Sequence, residues 1–204
     1  MYDLLVFDLD GTLIDSVGDI ADALNQVLGT TFGDGEVAGF IGSGVHELLK
    51  RAGAGGNLDE LTTRFLAAYH ARPCARTGLY LGVRETLAQL GQPKAVATNK
   101  PGELSRIIVE QLGIASSFFA VLGEDDVGRK KPDPLIVDLL RGQVGATRAR
   151  TLFIGDSLID AATADAARVD LCLVTYGYAD PAAIRAHPAK LHLDHFRDLP
   201  KLIQ

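Results

Sequence analysis

Apolar residues in this chain alternate between short continuous runs and longer segments with helical periodicity. The first run is Leu4-Leu5-Val6-Phe7, and a short apolar run bounded by polar residues is typical of a buried strand. The same pattern predicts strands at 95–98, 119–122, 151–154 and 171–174, and helices at 103–112, 134–140 and 158–167. Because such helices can carry the chain from one parallel strand to the next, the expected fold class is α/β with a Rossmann-like parallel-sheet core.

The interval that follows the first strand has a different pattern. No convincing strand is predicted between residues 16 and 81, where helical periodicity occurs at 19–28, 45–52 and 58–69. Ser16 followed by Asp19 resembles a capping signal at the start of the first of these helices. We therefore interpret residues 16–81 as an inserted helical cap domain, and residues 1–15 and 82–204 as the Rossmann-like core.

Composition narrows the possible classes of protein. The chain has 204 residues, 47% hydrophobic and 23% charged, with a net charge of -6, which suits a globular domain with an insertion. The sequence has no basic patch, so a nucleic-acid partner is not expected. It also has no apolar run of about 18 residues, so a membrane partner is not expected. The first residues lack the pattern of a secretion signal, so the expected location is the cytoplasm. Cys74 and Cys172 lack a CxxC spacing or a neighbouring histidine ligand, which argues against a disulfide framework or a zinc site.

Polar clusters follow four of the predicted strands. Asp8 and Asp10 are two residues apart, so on an extended strand their carboxylates would share one face, and a divalent cation such as Mg²⁺ would offset their repulsion. The other clusters are Thr98-Asn99-Lys100, Lys130-Lys131-Pro132-Asp133 and Gly155-Asp156-Ser157-Leu158-Ile159-Asp160. Ligands of open α/β sheets bind beyond the carboxyl ends of the strands. Together the clusters supply a nucleophile, proton transfer and cationic groups, as phosphoryl transfer requires.

Taken singly, each cluster also has a structural explanation. Asp8 and Asp10 could cap loops, Thr98 and Asn99 could be turn residues, and Lys131 could be a solvated surface charge. Asp160 could cap the helix that follows. The order of the four clusters on strand ends favours the functional interpretation.

In this order, the motifs DLDGT, VATNK, KPDP and GDSxxD resemble the haloacid dehalogenase-like superfamily over nearly the whole chain. The resemblance implies that Asp8 is a nucleophile that forms an aspartyl-phosphate. It implies that Asp10 protonates the leaving oxygen and later activates water. Thr98, Asn99 and Lys131 would grip the phosphate or the nucleophile, with Lys131 preferred over Lys130 because it immediately precedes the Pro132-Asp133-Pro134 turn.

The same resemblance implies a Mg²⁺ cofactor. Its ligands would be Asp8, the main-chain carbonyl of Asp10, and Asp156. Asp160 would orient these ligands or bind the ion through water.

The core motifs determine the reaction but not the substrate. The residues that select the substrate are therefore expected in the inserted segment. The stretch Phe40-Ile41-Gly42-Ser43-Gly44 looks like the cap loop of phosphoglycolate phosphatases, with Ser43 where those enzymes often carry Asn. Gly42, Ser43 and Gly44 are therefore the candidate substrate-binding residues, and 2-phosphoglycolate or a similar small phosphorylated metabolite is the expected substrate. An ordinary helix-entry turn is the competing explanation of this loop.

Several alternatives share parts of this signature. They are a β-phosphoglucomutase-like phosphosugar mutase, a pyrophosphatase or nucleotidase, and a non-enzymatic phospho-acceptor or binding module. The expected quaternary state is a monomer or a homodimer.

Overall fold

Parallel strands form the central sheet of the computed structural model, which describes residues 1–203. Eight strands lie in this range: β1 (Leu4–Phe7), β2 (Ile14–Asp15), β3 (Gly78–Leu79), β4 (Lys94–Ala97), β5 (Ala120–Leu122), β6 (Thr151–Gly155), β7 (Asp170–Val174) and β8 (Leu191–Leu193). Six of them form one sheet in the order β5-β4-β1-β6-β7-β8, and every neighbouring pair in it is parallel. Strand β1 therefore lies in the interior of the sheet, between β4 and β6.

Both faces of the central sheet are covered by helices. The helices are α1 (Val17–Leu28), α2 (Asp34–Ala38), α3 (Val45–Arg51), α4 (Leu58–Ala71), α5 (Val83–Gln89), α6 (Gly102–Gln111), α7 (Glu124–Val127), α8 (Leu135–Val144), α9 (Leu158–Ala167), α10 (Pro181–Ala186) and α11 (Leu199–Leu202). Successive residues of β1 point to opposite faces, so Leu5 and Phe7 join one apolar cluster while Leu4 and Val6 join the other. All four side chains are fully buried, which explains why the strand is a continuous apolar run.

The predicted α/β class and parallel sheet are confirmed. The four later core strands lie within one residue of the predicted bounds, and α9 has the predicted bounds. Helix α8 continues to Val144, past the predicted end at residue 140. The prediction omitted the short elements α2, α5, α7, α10, α11 and β8, because too few residues repeat in each to establish a period.

The inserted segment contains one strand, contrary to the prediction of helices alone. Strand β3 pairs antiparallel with β2, placing Ile14 opposite Leu79 and Asp15 opposite Gly78. Each strand is two residues long, which is too short for an alternating pattern to emerge. The small sheet joins the chain entering the helical segment to the chain leaving it. The division at residues 15 and 81 itself stays a prediction.

The capping interpretation of Ser16 and Asp19 is wrong. Ser16 precedes α1 but makes no side-chain capping hydrogen bond; its hydroxyl donates to Asp10 instead. The buried carboxylate of Asp19 accepts hydrogen bonds from the main-chain N–H groups of Arg76 and Thr77 and from the Thr77 hydroxyl. Asp19 therefore fastens α1 to the chain that returns to the core.

Among residues 1–203, none of the helices combines the length and apolar character that a membrane span requires.

Candidate active site

The carboxyl ends of the central strands bring the predicted core residues together. Asp8 directly follows β1, Thr98 follows β4 and Asp156 follows β6. Lys131 reaches the same place from the loop before α8, and Asp160 from the first turn of α9. Parallel strands place these residues at one edge of the sheet, although they are far apart in the sequence.

Three carboxylates and one ammonium group form the centre of this edge. Oxygens of Asp8, Asp156 and Asp160 lie within 4.8 Å of one another. Lys131 Nζ lies 2.9 Å from Asp8 Oδ1 and donates a hydrogen bond of 2.7 Å to Asp160 Oδ1. Because three carboxylates face one ammonium group, negative charge remains unbalanced when all of these groups are ionised.

Burial makes this imbalance costly. It raises the pKa of Asp8 to about 7, with Lys131 opposing the rise and Asp160 adding to it. Burial also raises the pKa of Asp156 well above its ordinary value, and repulsion from Asp160 and Asp8 adds to the rise. Asp8 Oδ1 is buried with the Lys131 ammonium 2.9 Å away, and no main-chain N–H or hydroxyl group among residues 1–203 donates to it. An oxygen-rich cluster with more carboxylates than cations fits a hard divalent cation such as Mg²⁺.

Neighbouring groups fix the orientation of Asp156 and Asp160. Asp156 Oδ1 accepts from the Thr12 hydroxyl at 3.2 Å, and Oδ2 accepts from the Tyr178 main-chain N–H at 2.8 Å. Asp160 Oδ2 accepts from the main-chain N–H groups of Asp156 and Ser157 and from the Ser157 hydroxyl, which caps α9 in return. Asp160 therefore combines the predicted helix cap with a place in the carboxylate cluster.

Asp10 lies beside the cluster, with its carboxylate turned toward a different set of partners. Lys100 Nζ lies 2.9 Å and 3.0 Å from its two oxygens, and the Ser16 hydroxyl donates to Oδ1 at 2.5 Å. The carboxylate of Asp10 is not part of the three-carboxylate group. Although burial opposes it, attraction to Asp10 raises the pKa of Lys100, so Lys100 carries its charge at neutral pH.

Tyr178 connects Asp156 to the start of the helical segment. Its hydroxyl accepts from the main-chain N–H groups of Ser16 and Val17, at 2.7 Å and 3.1 Å, and donates to Asp15. Its own main-chain N–H holds Asp156. The preceding Gly177 has no room for a side chain, because a Cβ atom there would lie 2.3 Å from Asp156 Cβ.

Thr98 and Asn99 are both buried at the end of β4. The Thr98 hydroxyl accepts from the Lys100 main-chain N–H at 3.2 Å. Asn99 donates from Nδ2 to the carbonyls of Gly42 and Lys131, and its Oδ1 accepts from the Lys131 N–H. Asn99 therefore joins the Lys131 loop to the Gly42 loop, and its amide hydrogens are used in those contacts.

A cavity of about 50 Å³ lies between this edge of the sheet and the helical segment. Asp8, Asp10, Thr98, Asn99 and Lys100 form its core side. The opposite side is mostly apolar and is formed by Ile20, Ile41, Val45, Leu48, Phe65 and Leu66, together with Tyr69.

Of the three candidate cap-loop residues, two line this cavity and one does not. Gly42 and Gly44 line it, whereas Ser43 lies in a neighbouring cleft beside Lys130. The Ser43 hydroxyl accepts from Arg51 at 2.9 Å, and its carbonyl accepts from Lys130 at 3.4 Å. Lys130 therefore contacts the loop, while Lys131 contacts the carboxylates.

Five residues that the structure places in contact with the site were not among the predicted site residues: Thr12, Ser16, Tyr69, Lys100 and Tyr178. Thr12 and Lys100 belong to motifs that were recognised, so their position was itself a signal. Tyr69 and Tyr178 had none, since each reaches the site through packing between distant segments.

Comparison with known proteins identifies the family. A family model described as haloacid dehalogenase-like hydrolase matches residues 5–174. A phosphoglycolate phosphatase of Cereibacter sphaeroides (strain ATCC 17025 / ATH 2.4.3) is 38% identical over 98% of this chain and 97% of the relative. One of Pectobacterium atrosepticum is 37% identical over 98% of this chain and 91% of the relative.

A solved structure extends the similarity to three dimensions. The crystal structure of a predicted phosphoglycolate phosphatase from Haemophilus somnus 129pt superimposes with a TM-score of 0.92 and 30% sequence identity, and it covers 100% of this chain and 98% of that one. With the family model matching most of the chain, the protein belongs to the haloacid dehalogenase-like hydrolases and is a phosphatase of that family.

Proposed function

We propose that this phosphatase hydrolyses small phosphomonoesters, 2-phosphoglycolate in particular, through a covalent phosphoryl intermediate on Asp8 and with Mg²⁺ as cofactor. The observation that carries the proposal is the buried group of three carboxylates around the single ammonium of Lys131. Relatives named phosphoglycolate phosphatase, which match 98% of this chain, support the substrate.

Asp8 is the proposed nucleophile. Its carboxylate attacks the phosphorus atom, and the bond from phosphorus to the leaving oxygen breaks. Lys131, 2.9 Å from Asp8 Oδ1, offsets the negative charge of the phosphoryl group during transfer.

Asp10 is the proposed acid and base. It gives its proton to the leaving oxygen in the first step. In the second step it takes a proton from the water that attacks the phosphorus atom, while the bond between phosphorus and the Asp8 oxygen breaks and inorganic phosphate is released. Its contacts with Lys100 and Ser16 hold its carboxylate beside the cavity.

Asp8, Asp156 and the main-chain carbonyl of Asp10 are the groups that would hold Mg²⁺, with Asp160 and Thr12 orienting them. The ion would neutralise the carboxylates and polarise the phosphate oxygens. The helical segment 16–81 is proposed to act as a cap that excludes water from the cavity during the first step.

The test is phosphate release by the purified protein, with Mg²⁺ and with EDTA, from 2-phosphoglycolate, pyrophosphate, mononucleotides and sugar phosphates. We expect hydrolysis that requires Mg²⁺ and prefers 2-phosphoglycolate. In parallel, Asp8→Asn is expected to fold normally and to abolish turnover. Hydrolysis retained by Asp8→Asn, or conversion of a glucose phosphate into its isomer as the main reaction, would contradict the proposal.

A further inference from the structure

Tyr69 presents a buried hydroxyl group whose hydrogen has no acceptor among residues 1–203. The side chain is 2% exposed, and its oxygen makes no hydrogen bond among residues 1–203. Burial raises its pKa to about 12, so the hydroxyl remains protonated and able to donate. A buried hydroxyl without a partner costs free energy, and a partner that arrives with a ligand would remove this cost.

Lys100 lies next to the same hydroxyl-bearing ring. Its Nζ is 4.6 Å from the centroid of the Tyr69 ring, within the range of a cation–π contact. Two of its three N–H donors are accounted for by the oxygens of Asp10. Lys100 is also the one positively charged residue among the described residues that line the site cavity.

Both groups line the same small cavity. Lys100 belongs to the core and Tyr69 to helix α4, so the two come from opposite walls of the cavity. A water-sized group needs about 10–15 Å³ on this measure, so about 50 Å³ admits roughly three to five such groups. A carboxymethyl group is of that size.

We propose that Lys100 and Tyr69 form the subsite for a carboxylate on the leaving group of the substrate. The carboxylate accepts one hydrogen bond from the ammonium of Lys100 and one from the hydroxyl of Tyr69, while the phosphoryl group lies at Asp8. The apolar residues of the cavity wall pack against the methylene group. This inference rests on the proposed function, since it identifies the class of substrate as small carboxylate-bearing phosphomonoesters.

The test compares two esters that differ at one group. 2-Phosphoglycolate carries the carboxylate, and ethyl phosphate carries a methyl group in its place. The informative variant is Tyr69→Phe, which removes the unpartnered hydroxyl and keeps the ring that packs against Lys100. Tyr2→Phe is the matched control, because the Tyr2 hydroxyl donates to Asp170 and Tyr2 does not line the cavity.

We expect Tyr69→Phe to lower the ratio of kcat/KM for 2-phosphoglycolate to kcat/KM for ethyl phosphate. A hydrogen bond to a charged group corresponds to a loss of about tenfold to a hundredfold, and most of it should arise in KM. The ratio should stay unchanged in Tyr2→Phe. Equal losses for both esters, or no loss for either, would overturn the subsite.

Lys100→Met supplies a second variant, with circular dichroism to check its fold. Both esters should react more slowly because Asp10 loses its ion-pair partner, and 2-phosphoglycolate should lose at least tenfold more than ethyl phosphate. A uniform loss would limit Lys100 to positioning Asp10 and would overturn its part in the subsite.

A binding measurement separates this inference from the proposed function. If no ester is hydrolysed, the proposed function is wrong, but calorimetric titration of both esters into wild-type protein and Tyr69→Phe still tests the subsite. Weaker binding of 2-phosphoglycolate alone in the variant would support the subsite, and unchanged binding of both esters would overturn it.

Discussion

Removing the hydroxyl of Tyr178 tests the connection between the carboxylate cluster and the helical segment. In Tyr178→Phe the main-chain N–H of Ser16 loses its acceptor at 2.7 Å, and Ser16 is fully buried. The N–H of Val17 keeps an alternative acceptor, Asp15 Oδ1 at 3.3 Å. One buried donor is therefore left without a partner, which costs about 1–3 kcal/mol.

This cost predicts a measurable fall in the melting temperature. For a chain of this size, 1 kcal/mol corresponds to about 2–4 °C, so Tyr178→Phe should melt about 2–12 °C below the wild type in differential scanning calorimetry. The kcat should also fall, since the Ser16 hydroxyl that contacts Asp10 at 2.5 Å belongs to the segment that Tyr178 holds.

Tyr2→Phe serves again as the control. The Tyr2 hydroxyl donates to Asp170, which also pairs with Lys190, so its loss leaves no buried donor without a partner. The control should lose less than about 1 kcal/mol. If Tyr178→Phe matched Tyr2→Phe in both melting temperature and kcat, Tyr178 would not connect the two regions as described.

Two further substitutions test the packing around the site. Asp19→Ala leaves the N–H groups of Arg76 and Thr77 without their acceptor. We expect the free energy of unfolding, measured in urea, to fall by about 2–4 kcal/mol. A fall below about 1 kcal/mol would refute the role given to Asp19. Gly177→Ala forces a Cβ atom against Asp156. The apparent Mg²⁺ affinity in the phosphatase assay should therefore fall about tenfold to a hundredfold. An unchanged Mg²⁺ dependence would show that the displacement of Asp156 has no consequence.

The extent to which the sequence predicts this fold depends on how local each signal is. Strands β1 and β6 are buried on both faces, so each appears as a largely apolar run. Strands β2 and β3 are held by pairing between residues distant in the chain, and two residues carry no periodicity. The same reason explains the error at Asp19, whose partners Arg76 and Thr77 lie at the far end of the helical segment.

The residues of the candidate site likewise fall into those that a local motif predicts and those that only the packing brings together. Asp8, Asp156 and Asp160 could be predicted because each belongs to a short motif directly after a strand. The contact between Lys100 and Tyr69 could not, because it depends on how α4 packs over the end of β4. The family resemblance implied that Asn99 grips the phosphate or the nucleophile, which stays a prediction. The contacts of its amide with the loops at Gly42 and Lys131 could not be predicted, because no local pattern encodes them.

Asp8 is proposed to carry the phosphoryl group during turnover. This is tested by mass spectrometry of enzyme quenched in acid within the first turnover, after rapid mixing with Mg²⁺ and 2-phosphoglycolate. We expect one added phosphoryl group on the peptide that contains Asp8, and none in Asp8→Asn. A phosphoryl group on a different residue, or glycolate formed in the first turnover without any phosphoryl-enzyme, would contradict it.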